Sequence, residues 1–164
     1  MTQELLIHPE RIAEKPTVFE GTVDLADFPR LEESLANGSI DLKYKVIARL
    51  DKQRRMVVSC IIEGFVFLTC QTTLEAFRHD VFIDDRLVLV DDEARLPPIE
   101  EESDEEDYLV ADGPLDVRSL VEDAVLLSLP MVPRKPGLDE ARFGEAKEPR
   151  ESPFAKLASL KKRP

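Results

Sequence analysis

Between residues 41 and 90 apolar side chains recur at every second position. In the run RMVVSCIIEGFVFLTC, Met56, Val58, Cys60, Ile62, Val66, Leu68 and Cys70 share one parity. A strand sends alternate side chains to opposite faces, so these residues would meet one core. The other parity mixes Val57, Ile61, Phe65 and Phe67 with Ser59, Glu63 and Thr69, which leaves a partly apolar second face able to receive a helix or another element. Gly64 interrupts the run where a glycine marks a bulge or bend. No turn dipeptide separates two halves, so one long bent strand is expected.

The flanks extend the sheet. Leu42, Tyr44, Val46, Ala48 and Leu50 alternate with Lys43, Lys45, Ile47 and Arg49, and the polar link at residues 51–55 is short enough for a hairpin. Phe77, His79, Val81 and Ile83 share a parity on a third segment after a turn at 71–73. Strands over 42–50, 55–69 and 74–84 should therefore pair antiparallel in that order, because the connections are too short for parallel crossovers. Upstream, strands are expected at 5–7 and 17–25, with Gly21 permitting a bend, and a short helix over 30–35, started by Asp27 and Pro29 and stopped at Asn37-Gly38. Downstream, Tyr108, Leu109 and Val110 offer a brief strand. A helix over 117–129 follows, capped by Asp116 and ended before Pro130; it should lay Leu120, Val121, Ala124 and Val125 on the sheet and leave Glu122 and Asp123 wet. The fold class is mainly β with covering helices (α+β), an antiparallel sheet or partly open barrel with one long helix in the C-terminal half.

Composition refines this picture. A chain of 164 residues with 43% hydrophobic content can bury a core, which predicts a single α+β domain over 1–133. Within it the acidic, proline-containing stretch at about 92–107 should be a mobile loop or hairpin excursion, serving as a solubilising surface, as bait for a basic partner or as a nucleic-acid mimic. Residues 134–151 are rich in charge, glycine and proline and read as a tether. The last island, 152–164, suits a short amphipathic helix with a basic tail: Ser152 can cap, Pro153 fits the first position, and Phe154 and Leu157 share a face. The net charge of -12 disfavours a protein that grips nucleic acid through a generally positive surface, though not through a local one. Cys60 and Cys70 fall at apolar-face positions and read as buried thiols in a reducing compartment. With no signal segment and no apolar run long enough to span a bilayer, a cytoplasmic location is expected.

Candidate chemistry is sparse. His79 lies on an apolar strand face and reads as a sheet histidine without a placed nucleophile. Asp80, Asp84 and Asp85 read as a solvated strand end in preference to a magnesium site, and no phosphate loop, zinc-protease or dinucleotide motif occurs. The ordered region's one basic concentration is Lys43, Lys45 and Arg49 on one strand with Lys52, Arg54 and Arg55 in the following turn. These six suit phosphate contact or an ordinary solvated surface. Lys156, Lys161, Lys162 and Arg163 in the tail are similar in kind, and Phe154 and Leu157 can anchor there on a partner.

The strand-borne VFLTC ending at Cys70, the helix LVEDAVLLSLP at 120–130, the following MVP, and SPFAKLASLKKR at 152–163 together resemble the large ribosomal RNA subunit accumulation proteins. The resemblance implies a non-enzymatic cytoplasmic factor in synthesis, processing or stability of large-subunit (23S) ribosomal RNA. Its implied partner is the precursor RNA or an associated ribosomal or processing protein, with no membrane and no small-molecule substrate. Many relatives carry Cys-x2-Cys after the central strand; here Cys70 fills the first position and Thr73 the second, and with His8 and His79 the only histidines a closed zinc site is not expected. No cofactor is implied. The rival reading is a protein-interaction or holdase module for basic clients without RNA contact; a ribonuclease ranks third.

Overall fold

The computed structural model describes residues 5–36, 40–98 and 106–138. The chain divides into two compact units, Met1–Pro133 and Arg134–Pro164, and all elements below belong to the first. Beyond residue 138, the expected tether and terminal helix fall outside the described residues. In chain order the elements are β1 (Leu6–Ile7), β2 (Thr17–Thr22), α1 (Pro29–Ser34), β3 (Asp41–Leu50), β4 (Met56–Thr69), β5 (Ala76–Val90), β6 (Asp107–Val110), β7 (Leu115–Asp116) and α2 (Val117–Ser128).

The alternation at 41–90 becomes the three central strands of a five-stranded sheet ordered β2-β3-β4-β5-β6. β3 pairs antiparallel with β4 from Asp41↔Phe65 to Leu50↔Met56, and β4 with β5 from Met56↔Leu89 to Thr69↔Ala76. Of the two expected forms, the structure takes the open sheet, with β2 and β6 as its edges. β4 is one continuous strand. Gly64 sits at φ 142°, and a side chain there would run into the Asp41 carbonyl oxygen, so glycine lets β3 and β4 stay in contact at this point. Gly21 serves a close approach and not a bend: a Cβ on it would lie 2.8 Å from the Tyr44 hydroxyl oxygen.

Paired residues of adjacent strands point to the same side, so the register defines two faces. The inner face carries Leu42, Tyr44, Val46, Val58, Cys60, Ile62, Val66, Leu68, Phe77, Val81 and Ile83, all buried. α2 packs on β5 and β4, and α1 packs on α2. As expected, Asp116 caps α2, its carboxylate accepting from Arg118 N–H at 3.1 Å. The helix is rotated from the expected face: Val117, Val121 and Val125 are fully buried, and Leu120 and Ala124 are half-buried.

Glu122 is also buried, against the expectation of a wet side chain. Its Oε1 accepts from the N–H groups of Arg30 and Leu31 at 2.8 and 3.1 Å, and its Oε2 accepts from Arg30 Nε at 2.8 Å. The first turn of α1 offers N–H groups with no partner within the helix, and Phe28 at the cap has no side-chain acceptor to give them. A carboxylate from another helix supplies it, and Arg30 returns to Asp123 at 2.7 Å.

The acidic stretch is more ordered at its ends than its composition predicts. Glu93–Arg95 form a 3-10 turn capped by Asp92, Glu106 is held by two arginines, and Asp107 begins β6; residues 99–105 lie outside those described. β6 runs parallel to β5, with Leu87↔Asp107 and Val90↔Val110. The connection at 91–106 is long enough for that crossover, unlike the short hairpin links before it.

Candidate nucleic-acid interface

The β3–β4 turn is built around Asp51. Its N–H donates to Arg55 O and its C=O accepts from Arg54 N–H, both at 3.0 Å. Its Oδ1 accepts from Gln53 and Arg55 N–H at 2.9 and 2.8 Å, and its Oδ2 from Arg55 Nε at 2.8 Å. This closure puts Arg54 in the left-handed region, φ 62°, and points its side chain out, 77% exposed. Burial works against the charge on Asp51, but the hydrogen bonds from Arg55 and Gln53 outweigh it and hold the carboxyl below the usual carboxylate range.

Arg55 reaches onward to Glu106 with a two-pronged contact, Nη1 to Oε2 at 3.0 Å and Nη2 to Oε1 at 3.1 Å. Glu106, then Asp51, raise the Arg55 pKa further. Arg86 joins from β5, with Nη2 3.4 Å from Asp51 Oδ2. Its Nε lies 2.9 Å from Glu106 Oε1, within ion-pair reach but without the alignment of a hydrogen bond. Two cations and two carboxylates thus tie the turn, β5 and the start of β6 together beside Val57 and Val88, which pair on the outer face and are buried.

Around this knot lies an open depression of about 550 Å³, lined by Glu14, Arg49, Leu50, Asp51, Lys52, Gln53, Arg54, Arg55 and Arg86. Of the residues singled out in the sequence, Arg49, Lys52, Arg54 and Arg55 come together there, while Lys43 and Lys45 continue along the outer face of β3. Arg49, Lys52 and Lys43 form no ion pair with another described residue. Arg54 meets Glu14 at 3.8 Å and Lys45 meets Glu20 at 4.0 Å, both exposed pairs that water and salt screen. Arg55 differs from the others because Nε, Nη1 and Nη2 of its guanidinium each donate to a carboxylate. Phe154, Leu157, Lys161, Lys162 and Arg163 lie outside the described residues.

The sequence did not single out Arg86 or Glu106, whose partners are distant in the chain, nor the aromatic part of the outer face. There Phe65 and Phe67 stand edge to face with ring centroids 5.9 Å apart, and the Arg78 guanidinium lies 3.9 Å over the Phe65 ring. Phe82, 74% exposed, is on the same face. Phe65, Phe67 and Phe82 all sit at outward parity, a signal visible in the alternation once one face is known to be the core. Both cysteines are buried and neither is in a disulfide. Burial, and secondarily the Asp85 carboxylate, push the Cys60 thiol up to about 12. Among the described residues no three His, Cys, Asp or Glu side chains gather as metal ligands, and no helix is long and apolar enough to cross a membrane.

Residues 58–161 match the model of the family described as large ribosomal RNA subunit accumulation protein YceD. The chain belongs to the YceD family. It is 27% identical over 173 residues to the large ribosomal RNA subunit accumulation protein YceD of Haemophilus influenzae, covering 97% of this chain and 96% of that protein. No solved structure matches. This YceD-family chain places Lys43, Lys45, Arg49, Lys52 and Arg54 on one face of its sheet and the turn beside it, on a protein of net charge -12.

Proposed function

We propose that this chain is a non-enzymatic factor supporting accumulation of large-subunit (23S) ribosomal RNA, and that it acts by binding RNA phosphates of the assembling subunit through Lys43, Lys45, Arg49, Lys52 and Arg54. The observation that carries the reading is the depression at the β3–β4 turn, where cations outnumber carboxylates on a strongly acidic protein. A general polyanion grip is disfavoured by the total charge, so contact has to be local, and phosphate contacts position a protein without reading sequence. Arg55 supports the surface from beneath by fixing the turn that presents Arg54. The 152–164 island, with Phe154, Leu157, Lys161, Lys162 and Arg163, is a second, separable contact for the precursor RNA or an assembly protein.

Lys52→Glu with Arg54→Glu tests the first surface in a strain lacking the wild-type gene. Large-subunit RNA should fall and its precursor rise, and the purified variant should bind precursor RNA more weakly with a shallower salt dependence. Full rescue with unchanged RNA binding across low and physiological salt would leave the depression as ordinary solvated surface. Removal of residues 152–164 tests the second: lost rescue with an unchanged denaturation midpoint supports a partner contact, whereas a lowered midpoint with rescue intact makes the island a structural clasp.

A further inference from the structure

The outer face of the sheet separates its chemistry by strand. Three of the outward positions of β3 are cations, Lys43, Lys45 and Arg49, with Asp41 at the start of the strand. Aromatic groups occupy β4 and β5, with Phe65 and Phe67 on one strand and Arg78 and Phe82 on the next. The pairing places them in rows: Lys43, Glu63 and Phe82 in one; Asp41, Phe65 and Asp80 in the next; Phe67 and Arg78 beyond. Same-face neighbours along a strand are about 7 Å apart, so Phe67, Phe65 and Phe82 form a diagonal stripe at side-chain spacing. Arg78, whose guanidinium carbon lies 3.9 Å from the Phe65 ring centroid, is held there by Asp80, which accepts from its Nε at 2.8 Å. α2 packs on the opposite, inner face of β4 and β5, and α1 packs on α2.

From this juxtaposition we infer that the outer face of β3, β4 and β5 is a platform for single-stranded RNA, with phosphates tracking along Lys43, Lys45 and Arg49 and unpaired bases stacking on Phe82, the Phe65–Arg78 pair and Phe67. The inference rests on the phosphate reading above and specifies which form of RNA that surface takes. Charge complementarity selects the occupant. The cations are at the β3 side of the aromatic stripe, with Asp41 and Glu20 beside them, while Glu63, Asp80 and Asp84 on β4 and β5 repel phosphates there and offer acceptors that suit base amino groups. The cation row also runs on into the basic depression of the turn. A duplex has its base faces stacked internally, so an aromatic platform distinguishes single strands from double ones. Each stacked base contributes enough that losing one ring weakens binding about tenfold, with little preference for sequence.

The chain contains no tryptophan, so Phe82→Trp introduces a single tryptophan, excited selectively over the two tyrosines, at the exposed end of the stripe. Titrating the full-length variant with a labelled RNA single strand of about 12 nucleotides should quench that tryptophan, and the same sequence as a duplex should not. Phe82→Ala should weaken single-strand binding about tenfold without altering its salt slope, and Phe82→Tyr should restore it. Lys43→Glu with Lys45→Glu should lower both affinity and slope. If the lysine changes act and Phe82→Ala does not, the stacking platform is overturned and the phosphate reading stands. If the tryptophan is quenched while the lysine changes are silent, stacking stands and the phosphate reading falls. Equal binding of duplex and single strand, or a Phe82→Ala defect seen only with a protein partner, also overturns the platform.

Discussion

The two faces of one sheet obey different rules. On the inner face, Ile62, Val66 and Leu68 are sealed beneath helices, and on the outer face of the same strand Phe65 and Phe67 remain half-open beside Glu63 and Thr69. Burial makes the inner positions answerable to stability. The outer ones are constrained little by packing, so the cations and rings kept there are available for contact. The exception is the turn end, where Val57 and Val88 are buried on the outer face beside the Asp51–Arg55–Arg86–Glu106 knot, so structure and proposed contact meet at that corner alone.

The comparison is open to four breaks, in falling order of effect. Ile62→Ala empties a fully buried position and should cost on the order of 3 kcal/mol in urea unfolding; a midpoint within error of wild type would remove the inner face from the core. Glu122→Ala strands the Arg30 and Leu31 N–H groups and should cost about 2 kcal/mol, and an equal loss from exposed Asp123→Ala would deny Glu122 its special place.

A smaller effect concerns pH. The folded-state pKa of Asp51 is depressed, so its contribution is complete above the unfolded value of about 4 and is lost as pH falls through the folded value. Thermal unfolding followed from pH 6 downward should show wild type losing stability below about pH 4, with a shallower decline in Asp51→Asn; parallel curves would break the linkage. The smallest effect is expected from Lys43→Ala with Lys45→Ala, within about 0.5 kcal/mol of wild type per site. A larger loss would mean that the outer face carries structure as well.

Much of this was legible along the chain. Parity at 41–90 predicted the three central strands, their order and their antiparallel sense, and the Asp116 cap with Pro130 beyond placed α2 closely, because these signals lie within a few residues of the backbone they shape. The family was legible too, from the order of four short motifs. The candidate site was legible in part: the cations of β3 and its turn were visible as charge and the outward phenylalanines in the alternation, while the carboxylate partners of Arg55 and the contact of Arg78 with Phe65 were not.

What the sequence by itself determined are therefore periods, caps and turns, and what tertiary structure decided are pairings between distant residues. Glu122 looks like the solvent side of a helix until α1, whose Arg30 is 92 residues away, presents N–H groups that need an acceptor. Arg55 looks like one more surface cation until Glu106, 51 residues on, closes on it. The direction of β6 followed from a crossover over 91–106 that composition alone describes as loop. For Glu122 and Arg55 the local residue types allow both water and a protein partner, and only the fold, by bringing a complementary group within 3.1 Å, removes the choice.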